Sequence, residues 1–321
     1  MKNIIKLLII VLCIILVSVF CVIMINKDIP EELQEEKFYI KDGAIYEKNE
    51  DLNRMAIENN LSKINNLCEK YLKNNKLYFS IIPDKEYYLN AGQNNLSETN
   101  FKNIENTVKS NLKENIKYFD ISETLVLDDF YKTDMHWKQE NLGKTVKKIE
   151  KELGIYIKEN IKYEEKSLGE FYGTYYKDLH KLENSKIAEV KPDELIYLNN
   201  KELENCKVYN TETQKDEKIY NKDRANETNN KYDLFLSGAT ALTTITNEKA
   251  DTEKKLILFR DSFGSSIAPL FAEEYKEIVL IDIRYINYTI LENYIDFDKY
   301  KDADVLFLYS SRVINKSGIF R

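Results

Sequence analysis

The chain has 321 residues, a net charge of −7, two histidines and nine glycines. That length holds one large domain or two small ones. The acidic balance, with no basic stretch able to follow a phosphate backbone, gives nucleic-acid binding no support, and two histidines exclude metal sites built on several imidazoles.

Leu7 to Ile25 is a run of nineteen uncharged residues in which only Ser18 is polar, close to the ~20 that cross a bilayer. Lys2 and Lys6 precede it, and Lys27 is followed by Asp28, Glu31, Glu32, Glu35 and Glu36. The positive-inside rule places the N-terminus in the cytoplasm and the rest outside, as a single-pass protein of the cell membrane. No small-x-small site follows the run, and Phe20 stands before Cys21 where a lipoprotein needs a small residue, so the anchor is expected to stay attached. The expected organisation is an anchor (1–27), an acidic stalk (28–45) and one domain (46–321). Cys13 and Cys21 fall in the span. Cys68 and Cys206 remain, and their spacing does not imply a bridge.

In the domain, Leu52, Ala56, Ile57, Leu61, Ile64, Leu67, Cys68, Tyr71 and Leu72 recur at helical spacing. Leu77 to Ile82 then reads as an apolar strand stopped by Pro83. Pro83-Asp84-Lys85 follows a strand end, where open α/β sheets place binding groups, although a plain turn explains it as well. A second amphipathic helix is predicted over 100–113 with Ile104, Val108 and Leu112 on one face, followed by a strand at Tyr118 to Ile121. Asp134 and His136 lie on a loop ahead of a third helix, whose inner face carries Leu142, Val146, Ile149 and Leu153 and whose end is marked by Gly154. Residues 163–182 are rich in aromatic side chains, and 198–231 read as a polar surface excursion, hairpin-like and outside the central sheet. Leu256 to Phe259, Ile278 to Asp282 and Val305 to Tyr309 complete the strands. Strands alternating with helical stretches predict an α/β fold with a mostly parallel sheet and helices on both faces.

The chemistry concentrates in two segments. Arg260-Asp261-Ser262-Phe263-Gly264 sits where a buried strand turns into a helix. That setting puts a serine hydroxyl at the carboxyl end of a sheet beside the free N–H groups of a first helical turn. It suits a nucleophile, and equally a helix-capping serine. Far upstream, Asp134 is two residues before His136, close enough to fix the imidazole tautomer and leave Nε2 as a base. A helix-capping aspartate beside an incidental histidine is the competing explanation. His180 has no notable neighbours in sequence and is expected at the surface.

Thr133-Asp134-Met135-His136-Trp137 resembles the signature of the bacterial DHHW protein family. The segments Phe171 to Tyr176, Tyr232 to Gly238, Arg260 to Gly264 and Asp282-Ile283-Arg284-Tyr285 are similar to its later blocks. The resemblance covers most of the chain after residue 45, with one departure: Met135 replaces the first histidine of Asp-His-His-Trp. The family is similar to SGNH-type proteins that O-acetylate exported polysaccharides, including those of alginate export, whose Asp-His block precedes the serine. The resemblance implies Ser262 as acetyl acceptor, His136 as base and Asp134 as orienting acid. It further implies oxyanion donors drawn from Ser262, Gly238 and Gly264, with Lys85 and Arg284 lining the substrate site. It implies no cofactor or metal, a polysaccharide substrate, and a multispanning membrane acyltransferase as acetyl source. Two other functions fit the same residues: a carbohydrate acetylesterase with the same triad, and a non-catalytic cell-envelope scaffold, to which the departure at Met135 points.

Overall fold

The computed structural model describes residues 37–48, 50–89, 96–155, 161–181 and 185–321. The expected anchor and the start of the expected stalk lie outside these residues. Among the described residues no helix is long and apolar enough to cross a membrane. From Phe38 on, the stretch expected as stalk is instead a hairpin, β1 (Phe38–Lys41) and β2 (Ala44–Glu47), in which Ile45 and Tyr46 are buried. Two residues, Asp42 and Gly43, turn it with positive φ, the backbone that two-residue hairpins need.

The longest helix among the described residues, α1 (Arg54–Tyr71), starts where the Asn53 side chain accepts the Ala56 N–H. It leads into β3 (Lys76–Ile82), α2 (Lys85–Leu89), α3 (Leu96–Asn111) and β4 (Ile116–Tyr118). The expected strand at 118–121 is therefore shifted towards the N-terminus. Phe119 still donates its N–H to the Phe79 carbonyl of β3 at 3.0 Å, and it and Ile121 are buried beside Leu125 and Phe130. After the 131–136 loop come α4 (Gly143–Leu153), stopped by Gly154 at φ 71°, then β5 (Glu164–Phe171), α5 (Thr174–Lys181) and β6 (Asp193–Asn199). β7 (Lys207–Asn210), β8 (Lys215–Glu217), β9 (Leu242–Thr246), β10 (Lys255–Arg260), α6 (Phe263–Ile267), β11 (Glu277–Ile281) and β12 (Asp304–Ser310) follow, with short helical turns between them and one more, Ser311–Ile314, after β12.

The main sheet runs β4-β3-β12-β10-β11-β9-β7-β8. Its first five strands are parallel, and its last three are joined antiparallel. The parallel part matches the expected mostly parallel sheet, and the antiparallel strands extend it. The polar 198–231 stretch supplies β7 and β8, so it does join the sheet. Only one face of β7 is covered, with Val208 and Asn210 buried while Lys207 and Tyr209 face out. That half-polar alternation hides a strand near the sheet's edge from a search for apolar runs.

β10 and β12 are buried along nearly their whole length, as parallel strands between two helical layers must be. Successive residues feed two cores. Leu256, Leu258, Leu306 and Leu308 pack with α4 and the segment after Ser262, whereas Ile257, Phe259, Val305 and Phe307 pack with α1 and α3. Counted from the strand that carries Ser262, the parallel strands β11-β10-β12-β3-β4 read 2-1-3-4-5, a doubly wound order with its topological switch between the first and third strands. The chain enters that order at the fourth strand, so it is a circular permutation. The two ends of the domain accordingly meet: the Asn315 side chain accepts the Asn53 N–H at 2.8 Å and donates to the Asp51 carbonyl at 2.9 Å.

Candidate active site

Ser262 follows β10 at the carboxyl edge of the sheet, beside the switch between β10 and β12. Capping is done by its neighbour. Buried Asp261 accepts the Phe263 N–H (3.0 Å) at the start of α6 and, with its other oxygen, the Ser310 N–H (2.7 Å) at the end of β12. Ser262 makes no side-chain cap bond, and its hydroxyl lies 2.8 Å from His136 Nε2. The serine is partly exposed and lines a cleft of about 220 Å³ with Met135, Phe263, Arg284 and Arg312 among its walls.

His136 Nδ1 is 2.5 Å from Asp134 Oδ1, which also accepts the His136 backbone N–H at 3.0 Å. The other carboxylate oxygen accepts the Thr174 N–H at 2.6 Å. Burial by itself would raise the Asp134 pKa. The imidazole and the two N–H donors outweigh it and hold the carboxyl well below the usual range. Gly173 makes this approach possible, because a Cβ there would stand 2.2 Å from Asp134 Cβ. Sequence reasoning offered one hint of this, the scarcity of glycine in the chain.

The imidazole is held in its plane as well. Tyr232 stacks on it, with centroids 3.9 Å apart and planes 14° from parallel, and Phe263 tilts against it. The Tyr232 hydroxyl and Trp137 Nε1 both donate to Ser266 Oγ, at 2.9 and 2.8 Å. Ser266 is one turn after Ser262, so the helix that presents the hydroxyl also anchors the ring that stacks on the imidazole. Tyr232 carries no sequence signal of this role beyond its place in a block of the resemblance, and Ser266, two residues past the serine block, carries none.

The remaining expected site residues divide. Arg284 lines the cleft, and its guanidinium grips buried Asp282 through Nε (2.9 Å) and Nη2 (2.7 Å). Burial would lower its pKa, but that carboxylate raises it above the ordinary value. Lys85 does not reach the cleft. It is 2% exposed beneath the 131–136 loop, donating to the carbonyls of Tyr131, Lys132 and Asp134. The expected glycine oxyanion donors are engaged elsewhere: the Gly238 N–H donates to the Phe235 carbonyl, and the Gly264 N–H to that of Asp261. The Ser262 N–H has no hydrogen-bond partner among the described residues. His180 is exposed and stacks on Tyr176, and Cys68 and Cys206 are free thiols. Arg312, which sequence did not single out, contacts Asp84 and Glu47 at the cleft wall.

No protein-family model matches the chain, and no curated protein does. Solved structures do share its fold. A DHHW family protein from Eubacterium siraeum superposes with a TM-score of 0.65 at 20% identity, over 88% of this chain and 95% of that one. PatB1 of Bacillus cereus gives 0.64 at 18%, over 87% and 97%, and a second structure of it carries a sulfonyl adduct. The O-acetyltransferase domain of Pseudomonas putida AlgJ gives 0.52 at 11%, over 88% and 94%.

Proposed function

We propose that the chain is a serine-dependent O-acetyltransferase, anchored in the cell membrane with its domain outside, that acetylates hydroxyl groups of a cell-surface or exported polysaccharide. One observation carries the chemistry: a partly exposed serine hydroxyl 2.8 Å from an imidazole whose other nitrogen is 2.5 Å from a buried carboxylate. The fold likeness to the O-acetyltransferase domain of AlgJ supports transfer as the reaction, and the apolar run at Leu7 to Ile25 supports the anchored location.

In the first half-reaction Ser262 Oγ attacks the acetyl carbonyl carbon while His136 Nε2 takes the hydroxyl proton. The donor's leaving oxygen departs with that proton, leaving acetyl-Ser262 and a neutral imidazole. In the second, a sugar hydroxyl gives its proton to His136 and attacks the acetyl carbon. The ester forms, and the proton returns to Ser262 Oγ. Asp134 remains ionised throughout and stabilises the imidazolium in each half. The unengaged Ser262 N–H is the backbone donor available to the oxyanion, a contribution of roughly 10²–10³ in rate for one such donor.

A sulfonyl fluoride reagent should label Ser262 in the parent protein and leave Ser262→Ala unlabelled. Ser262→Ala and His136→Ala should each lose activity by about 10³-fold or more while keeping the parent's unfolding transition. Absence of label on a folded parent would remove the enzymatic proposal. Turnover of an acetyl donor at one rate with and without glycan oligomers would favour an acetylesterase over a transferase.

A further inference from the structure

The loop that carries Asp134 and His136 is irregular backbone running through the interior. Its peptide groups must find partners without a helix or strand ladder. Main-chain groups supply some, such as the Ile45 N–H on the Lys132 carbonyl at 2.8 Å, and two buried charges supply others from opposite sides. The Lys85 ammonium donates to the carbonyls of Tyr131 (3.0 Å), Lys132 (3.2 Å) and Asp134 (2.9 Å). The Asp193 carboxylate, at the start of β6, accepts the N–H groups of Lys132 and Thr133 (both 2.8 Å) and is 2.6 Å from the Thr133 hydroxyl oxygen. That hydroxyl oxygen in turn accepts the Gly173 N–H at 3.0 Å, next to the Thr174 N–H that holds Asp134.

Burying an ammonium and a carboxylate is costly unless their hydrogen-bonding capacity is met. Here both are spent on the main chain of one loop, and neither lines the Ser262 cleft. We propose that Lys85 and Asp193 are positioning residues, a two-sided clamp that sets the 131–136 loop so that His136 Nε2 meets Ser262 Oγ; this rests on the serine chemistry proposed above. A misplacement of about 1 Å at such a contact costs on the order of 10²-fold in rate.

The clamp has a titratable half. Burial lowers the Lys85 pKa to about 8, against the pull of Asp134, Asp84 and Asp193 and with a smaller push from Arg312. The rings of Tyr46 and Tyr175 face the ammonium at 5.2 and 4.9 Å, and Glu47 accepts the Tyr175 hydroxyl behind them. As pH rises through that value the amine loses one of its three donors, and the loop loses one of its three contacts to Lys85.

The test uses the full chain, an activated acetyl ester as donor, and amide hydrogen exchange. In the parent, kcat should fall as pH rises through about 8, while the Thr133 amide exchanges faster than its intrinsic pH dependence predicts. Lys85→Met should lower kcat about 10²-fold at pH 7 with KM within threefold, and should lack that alkaline fall. Asp193→Asn keeps one acceptor oxygen, and should lower kcat about tenfold and speed exchange at Lys132 and Thr133 while amides of β10 and β12 stay protected. The clamp is overturned by Lys85→Met retaining kcat within threefold, by an alkaline fall that survives in it, or by Thr133 exchange unchanged in the parent up to pH 9 and in Asp193→Asn. A parent with no turnover of any acetyl donor and no sulfonyl label would instead remove the proposed function, and the exchange results would still decide the clamp.

Discussion

Gly173→Ala puts the packing around Asp134 to a direct trial. The added methyl would stand 2.2 Å from Asp134 Cβ, 2.5 Å from its Oδ2 and 2.7 Å from the Thr133 carbonyl oxygen, all under the 3.0 Å that real Cβ contacts respect. None of these atoms ends a flexible side chain. Asp134 is pinned by the Thr174 N–H and by His136, and Thr133 by Asp193. Relief requires moving one of the two segments apart. Losing the charged contact to Thr174 costs about 1.5–3 kcal/mol, and overpacking a buried site costs a further ~1–3 kcal/mol. The variant should therefore melt on the order of 10 °C lower. Below its new transition it should turn over acetyl donor about 10³–10⁴-fold more slowly, as when the acid of a triad stops supporting its histidine. Differential scanning calorimetry and kcat at 15 °C measure the two effects. Gly143→Ala is the control, since nothing lies within 4 Å of a methyl there and it should change neither. A Gly173→Ala protein that melts within 2 °C of the parent, with kcat within about threefold, would refute the idea that close packing holds the carboxylate.

Two further outcomes follow from the geometry. Tyr232→Phe keeps the ring on His136 but loses the bond to Ser266, so kcat should fall no more than about tenfold; Tyr232→Leu removes the stacked ring itself and should cost about 10²-fold or more, an ordering that steady-state kinetics would expose. Glu150, 3% exposed on α4, has its pKa raised to about 7 by burial, with Lys147 opposing. A carboxyl raised in the folded state stabilises nothing above its unfolded value: below about pH 4.3 there is no penalty, and stability is lost as pH rises from there through 7. Glu150→Gln should remove up to about 3 kcal/mol of that decline. Urea midpoints of parent and variant that run parallel from pH 5 to 8 would contradict it.

What the sequence revealed follows its physics. Leu256 to Phe259 and Val305 to Tyr309 are apolar on both faces, so the parallel core strands were legible, and so was α1 with its helical period. The hairpin at Phe38 to Glu47 was missed because it is short and half polar, and its placement depends on Ile45 donating to the Lys132 carbonyl far along the chain. Asp134, His136 and Ser262 stood out as residue types at chemically meaningful positions, and the structure brings all three into hydrogen-bonding distance. Lys85 was placed after the right strand but assigned the wrong side of it. A lysine past a strand end points equally well to substrate or to main chain, and only burial separates the two. Asp193, Ser266 and Gly173 act through contacts to residues 60, 34 and 39 or more positions away, which no local pattern records.

The permuted strand order has a consequence for how the protein comes to be. β12 lies between β3 and β10, yet it is synthesised after both of them. Until it arrives, two apolar strands in the middle of the molecule carry unpaired edges, the kind of surface on which chains stick to one another. A chain that stopped before Asp304 would hold every member of its Ser-His-Asp set and still be split down the centre. Aggregation of that fragment, rather than loss of a side chain, is the penalty this architecture sets on premature termination.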